Sequence, residues 1–452
     1  MKKQEDKTVL FEQMPIPAAV MKLSIPTVIG CLVMVIYNLA DTFFVGRLDD
    51  PIQSAAVTLV APVILAFNAV NNLFGTGTSS LISRALGLKD YELVKKTSAF
   101  GVYMAIFSGI LFSLGVLFLK NPLLRLLGAD SSTFDATSEY IFWTVICGAI
   151  PAILNVVVGF MIRAEGSALH ASVGTMSGCL LNIILDPFFI FDWGLGMGAS
   201  GAGLATFISN IVACLYFLIF LIVKRNKTYI CINPSMFSFD GKVVKEVMAV
   251  GIPAAIQNLL NVTGMTVLNN LASQNNPEAV SAIGITHKIS MVPMYISMGI
   301  GQGVMPLVGY NFAAKNKKRM REGVLFASKI SAGFMVVAAT LLCIFSKQIV
   351  FNFMENATVV EYGTVFLRGF ALAQPFLAVD FLGVGIFQAC GMGKRTFVFA
   401  IMRKVVLEIP ALLILNAIFP MYGLAFAQLV AELILASVAA VMILKLISLK
   451  EE

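Results

Sequence analysis

Two acidic residues stand inside long apolar runs of this 452-residue sequence. Asp41 follows Tyr37 by four positions, and Asp186 follows Asn182 by four. Residues four apart share a face of a helix, so each carboxylate has a polar partner one turn away. An acid in hydrocarbon costs roughly 2.5–3.5 kcal/mol on insertion scales, so its presence there calls for a use. Two carboxylates facing one desolvated pocket do not both ionise cheaply. Either one holds a proton or a monovalent cation sits between them. Both outcomes make Asp41 and Asp186 an ion-coupling site. The plainer alternative places both at helix ends in the headgroup zone, with Asp186 ending its helix before Pro187.

Other residues carry weaker signals. Lys288, Asp380, Glu408 and Glu432 are charges inside apolar runs of the second half. Lys288 paired with Asp380 or Glu408 would be a structural ion pair; acids left facing a cavity would attract cationic substrates. Arg403 and Lys404 lie near one end of a run and are expected to snorkel. Pro26 stands 15 residues before Asp41, ~22 Å along a helix, where it could act as a hinge or merely be tolerated by packing. Met161, Met176, Met291, Met294 and Met298 would suit a promiscuous cavity, or equally an ordinary core. Enzymatic motifs are missing: there is no HExxH, GxSxG or Walker A, and His170 and His287 are isolated. The seven cysteines have no CxxC spacing and read as free thiols. No metal or cofactor is expected.

The elements that must position these residues are transmembrane helices. The chain is 58% hydrophobic and only 13% charged, with mean hydropathy +0.87. A soluble domain is about 25% charged, and a soluble fold cannot hide this much apolar surface. These proportions exclude a soluble enzyme, a nucleic-acid-binding domain and a disordered scaffold. Apolar runs of about 20 residues fit helices rather than the alternating ~10-residue strands of a barrel. The fold class is therefore an all-α polytopic membrane protein. Twelve spans are predicted: 24–46, 54–80, 97–119, 138–162, 168–190, 198–223, 247–270, 279–308, 323–346, 362–388, 397–418 and 422–444. The net charge of +7 is a topology signal. Of 32 Lys and Arg, 23 fall on the side of both termini, 4 on the other side and 5 within spans. This asymmetry predicts cytoplasmic termini in a bacterial-type cytoplasmic membrane. The first apolar run is too long for a cleavable signal and would serve as an uncleaved one.

The sequence is duplicated. Pro26 in Leu-Ser-Ile-Pro-Thr maps onto Pro253 in Val-Gly-Ile-Pro-Ala, and the same offset carries the segment from Ser83 onto that from Tyr310. An offset two residues shorter carries Arg163-Ala-Glu-Gly onto Gln388-Ala-Cys-Gly. Six spans per half give two lobes inserted the same way up, related by a pseudo-two-fold axis along the membrane normal. The expected units are a first lobe over 1–223, a linker over 224–245 and a second lobe over 246–452. The counterparts of Asp41 and Asp186 in the second half are Leu268 and Ala411, which confines the coupling chemistry to the first.

Taken together, Ile36-Tyr-Asn-Leu-Ala-Asp41-Thr-Phe-Phe-Val-Gly, Arg163-Ala-Glu-Gly-Ser, Leu181-Asn-Ile-Ile-Leu-Asp186-Pro, Gly201-Ala-Gly-Leu-Ala-Thr206 and Gln388-Ala-Cys-Gly-Met-Gly resemble the MATE (multidrug and toxic compound extrusion) antiporters. They are similar to the DinF branch and its MepA-like bacterial members. The resemblance runs from about Phe11 to Lys445. It implies two six-helix lobes forming a V around a central cavity. It also implies export of amphiphilic, often cationic compounds in exchange for H+ or Na+ by alternating access, in a monomer without a cofactor. In the DinF branch an Asp on helix 1, an Asn and an Asp on helix 5 and a Thr on helix 6 form the coupling site. These match Asp41, Asn182, Asp186 and Thr206, where Na+ could also bind; Tyr37 and Asn155 match polar residues of the same lobe. The NorM branch relies on a helix-7 Glu, where this sequence has Asn261. Two rival readings remain. A lipid-linked precursor flippase of the same superfold should have a cationic cavity, whereas the first-half spans hold acids and no internal Lys or Arg. An intramembrane protease could use Asp41 and Asp186 as its pair.

Overall fold

The computed structural model describes residues 5–48, 50–274 and 277–448. We number the spanning helices in chain order. α1 is Ile16–Gly46, α2 Pro51–Gly87 and α3 Tyr91–Leu126. α4 is Phe134–Ile141, a π-helical turn Phe142–Cys147 and Ala149–Ala164, bent by 47°. α5 is Ala168–Ile190, α6 Gly198–Val223, α7 Gly241–Ser273, α8 Pro277–Ala313, α9 Lys317–Ile344 and α10 Ala357–Ala389. α11 is Gly393–Ile401, π-helical Met402–Glu408 and Ile409–Ile418, and α12 is Tyr422–Ser448. Short helices Glu5–Glu12 and Ser346–Phe353 precede α1 and α10. Ten of these helices are long and apolar enough to cross a membrane, and bent α4 makes an eleventh. α11 falls short because Arg403, Lys404 and Glu408 interrupt it. Those charges are buried and paired, which offsets the cost of carrying them through hydrocarbon.

Several helix starts are set by short polar side chains. Asp50, Asp90, Asp240 and Asn356 each accept a hydrogen bond from a first-turn backbone N–H. The repeat survives down to single turns. After α2, Lys89 adopts a left-handed backbone (φ 57°), and Asp90 then caps α3 through Leu93 N–H. After α8, Lys315 does the same (φ 58°), and Asn316 caps α9 through Arg319 N–H. The α4–α5 and α10–α11 turns match likewise: Gly166 and Gly391 both have positive φ and donate to the carbonyls of Arg163 and Gln388.

The halves meet along two seams, α1 on α8 and α2 on α7. Exchanging the halves converts one seam into the other, as a pseudo-two-fold axis requires. Both seams are tightest toward the end of the molecule that carries the termini. A Cβ on Gly251 of α7 would lie 2.1 Å from the Leu73 carbonyl oxygen, and one on Gly303 of α8 would lie 2.6 Å from Ser24 Cα. Only glycine lets the backbones approach so closely. On the same side, Arg84 pairs with Glu246 across the halves at 2.9 Å, and the Ser80 hydroxyl donates to the Gln388 carbonyl at 2.5 Å. Pro26 therefore lies within the α1–α8 seam, between Ser24 and the next close approach, Gly299 on Val28. α1 runs through Pro26 as one helix.

The short N-terminal helix straps this closed end. Arg319 donates to the carbonyls of Leu10, Phe11 and Met14. Phe11 stacks on Tyr310, whose hydroxyl donates to Glu12 at 2.6 Å. Lys89 of the first half reaches Glu12 at 3.5 Å. Hydrogen bonds to a charged group are worth about 1.5–3 kcal/mol, so Arg319→Ala is expected to raise amide exchange over residues 9–14 by roughly 10-fold or more. Unchanged exchange would show that the guanidinium does not hold the strap.

The segment after α6 also packs on the first half. Glu165 is buried and accepts from the Thr228 hydroxyl and the Tyr229 N–H, and Tyr229 stacks on Tyr91. Burial pushes the Tyr229 phenol up to about 12, with help from neighbouring Tyr91 and Glu165.

Candidate functional site

α1, α4, α5 and α6 converge inside the first half. Asp186 is fully buried on α5, and Asn182 one turn earlier is 1% exposed. α5 continues through Pro187 to Ile190, so Asp186 does not end its helix. The Asn182 amide links two helices. Its Nδ2 donates to Asp186 Oδ2 at 2.8 Å, and its Oδ1 accepts from the Thr206 N–H at 3.1 Å and the Thr206 hydroxyl at 3.2 Å. This orientation is assigned from the hydrogen-bond network, which it alone satisfies.

Asp41 differs from Asp186 in exposure. It is half-buried and makes no side-chain hydrogen bond among the described residues. Asp41 and Asp186 lie in each other's electrostatic field. Tyr37 meets Thr206 through its hydroxyl and also feels Asp41. The structure thus brings Tyr37, Asp41, Asn182, Asp186 and Thr206 into one polar cluster: one carboxylate sealed and hydrogen-bonded, the other partly exposed and, among the described residues, unpaired. Asn155 lies along the same helix wall, donating to Asn210 Oδ1 at 2.7 Å one turn from Thr206.

Sequence reasoning missed Tyr140 and Asn210. Tyr140 on α4 is 5% exposed and sits in the fields of both Asp41 and Asp186. It lies two residues before the π-helical turn, which shifts the face α4 presents. No sequence period marks such a turn. Asn210 was legible as a polar residue one turn from Thr206 on an apolar helix.

The second-half charges pair differently from expectation. Arg403 Nε donates to Glu432 at 2.7 Å, and Arg403 Nη1 lies 3.5 Å from Asp380. Lys404 holds both oxygens of Glu408, at 2.6 and 2.7 Å. Lys288 is exposed and takes part in neither pair. Arg403 and Lys404 do not snorkel; they are 4% and 8% exposed. The π-helical turn that carries them rotates both inward, and Gly264 of α7 leaves the room, since a Cβ there would lie 2.7 Å from Glu408. Asp380, Glu408 and Glu432 are thus held in a buried network rather than lining an open acidic wall.

Two further expectations change. Met161 is fully buried core and lines no cavity, while Met176, Met291, Met294 and Met298 are partly exposed. Arg163 belongs to the last turn of α4, not to a loop. Its guanidinium lies over Phe160 and donates to Gln302 of α8 at 3.2 Å, and its Nε is buried without a partner. The first half therefore does carry an inward cation, and the ground against a flippase weakens. Among the described residues no cluster of His, Cys, Asp or Glu could hold a metal ion by itself.

The MatE family model matches residues 26–188 and again 253–414, the first match beginning on Pro26 and the second on Pro253. A multidrug export protein MepA of Staphylococcus aureus (strain MRSA252) is 33% identical over 447 residues, covering 98% of this chain and 97% of the relative. A structure described as the outward-facing conformation of a multidrug resistance MATE family transporter of the MOP superfamily superposes with TM-score 0.91 at 26% identity, covering 99% of this chain and 98% of the other. A MATE structure in the straight conformation gives the same score and identity, covering 98% of each chain.

Proposed function

This chain belongs to the MatE family, and on that footing we propose that it is a multidrug efflux antiporter. It exports amphiphilic, often cationic compounds in exchange for H+ or Na+ by alternating access, working as a monomer with both termini in the cytoplasm. The observation that carries this reading is the contrast between Asp41 and Asp186 within one cluster. A fixed, fully buried carboxylate beside an unpaired, partly exposed one is an arrangement that takes up a single small cation.

With the termini inside, the tight seams close the cytoplasmic end. The conformation then faces outward, in keeping with its likeness to the outward-facing relative. In this state H+ or Na+ reaches Asp41 from outside. Neutralisation removes the repulsion between Asp41 and Asp186 and lets α1 repack against α5 and α6. α1 also forms the α1–α8 seam through Ser24, Pro26 and Val28, so a change at Asp41 is carried to the closed end along one helix. Cation and cargo drive the cycle only through different affinities for the two states. If the ion is Na+, the oxygens of Asp41, Asn182, Asp186 and Thr206 supply hard ligands for it; if it is H+, the two carboxylates suffice.

The deciding experiment is transport in proteoliposomes with an imposed pH or sodium gradient and a panel of lipophilic cations. One of the two gradients should drive cation movement and the other should not. Movement driven by neither would remove the antiport reading. Gradient-independent movement of a pyrophosphate-linked lipid would favour the flippase, for which the inward Arg163 is the one supporting observation.

A further inference from the structure

At the end of the molecule that carries the termini, α9 and α12 meet only sparsely and leave a crease of about 270 Å³ between them. Arg321 and Lys445 stand at its mouth, and Leu325, Val441, Leu444 and Ile447 line it. Both cations are exposed, and neither pairs with an acid among the described residues. Their helices run in opposite directions, so both enter hydrocarbon just past these cations. Leu325 lies one turn beyond Arg321 and Val441 one turn before Lys445, each ~6 Å deeper at the helical rise. The crease is therefore cationic at headgroup level and apolar beneath. A second groove, of about 460 Å³ on the outer face of α3, is lined by Leu111, Phe112, Val116, Leu119, Leu123 and their neighbours with no charged side chain, so it discriminates among no lipids.

We propose that the α9–α12 crease is a binding site for an anionic phospholipid of the leaflet on the terminal side. The phosphate lies between Arg321 and Lys445, and one acyl chain follows Leu325, Val441 and Leu444. Charge complementarity selects this occupant. A cationic amphiphile of the exported class is repelled by the two cations, and a zwitterionic lipid brings no net charge to them. Basic pockets between membrane helices on the inner side bind anionic headgroups for this reason.

The test uses the full chain in detergent, titrated separately with phosphatidylglycerol, with phosphatidylcholine of the same acyl chains and with inorganic phosphate, bound species being counted by native mass spectrometry. The wild type should retain phosphatidylglycerol, and Arg321→Gln with Lys445→Gln should bind it roughly 30-fold more weakly, the worth of two cations near an anionic surface. Phosphatidylcholine should bind both proteins alike, and millimolar phosphate should not displace the lipid. Leu325→Trp, which fills the crease and keeps both cations, should also lose the lipid; Lys318→Gln, a neighbouring exposed cation outside the crease, should not. Thermal unfolding of each variant in detergent checks that it is folded. The proposal is overturned if the double variant retains phosphatidylglycerol as the wild type does. It is equally overturned if Leu325→Trp changes nothing, which would mean diffuse surface attraction, or if phosphate alone competes.

Discussion

Asp41→Asn is expected to reduce gradient-driven export by roughly 100-fold, at the upper end of common coupling free energies, while the protein accumulates normally. The side chain is half-buried and bonded to nothing among the described residues, so the isosteric amide removes a titratable site without stranding a partner. Asp186→Asn should behave differently. That carboxylate is fully buried and accepts from Asn182, so the substitution also disturbs an α5–α6 link and should lower thermal stability by about 1–3 kcal/mol as well as abolishing coupling. The two variants thus separate a pure coupling defect from a coupling defect with a structural component. Export by Asp41→Asn at the wild-type rate and gradient dependence would refute the coupling assignment, however Asp186→Asn behaved.

Arg403→Met is the substitution with the largest expected structural cost. Arg403 is the ion-pair partner of both Asp380 and Glu432, which are 1% and 0% exposed. Removing one member of a buried charge network costs about 3–5 kcal/mol, because the remaining charges are left uncompensated. For a polytopic protein such a loss should appear as a lowered unfolding temperature in detergent and a reduced yield. Replacing the whole set, as Arg403→Met with Asp380→Asn and Glu432→Gln, should recover most of the stability, since the penalty comes from the stranded charges and not from the absence of a pair. If Arg403→Met unfolds at the wild-type temperature, the network carries no structural load. If the triple variant is stable but inactive, the network belongs to transport as well as to folding.

Much of this protein is written in its linear pattern. Hydrocarbon requires about 20 consecutive apolar residues and satisfies backbone polar groups only within a helix, so the number and places of the spans follow from hydropathy. α11 shows the limit of that rule: its charges break the apolar run and are tolerated because they pair internally. The duplication was legible because Pro26 and Pro253, and Arg163 and Gln388, recur at nearly one offset; the matching left-handed turns at Lys89 and Lys315 emerged only in the structure. Asp41, Asn182, Asp186 and Thr206 were legible because polar residues in such a background are costly and few.

What the sequence left open is rotation about each helix axis and the mutual placement of helices. A membrane helix is apolar all round, so no amphipathic stripe marks its buried face, and a π-helical turn resets that face without any change of period. Hence the sequence offered Lys288 as the partner of Asp380 and sent Arg403 to the membrane surface, whereas the packed structure turns Arg403 inward onto Asp380. Tyr140 gained its place beside the two aspartates the same way. Which end of the bundle is shut was also a tertiary decision. It rests on backbones brought together at Gly251 and Gly303, a contact between halves more than 170 residues apart in the chain. The sequence by itself determined what must be buried; the packing of the halves decided which groups face one another, because burial is a property of composition and facing is a property of geometry.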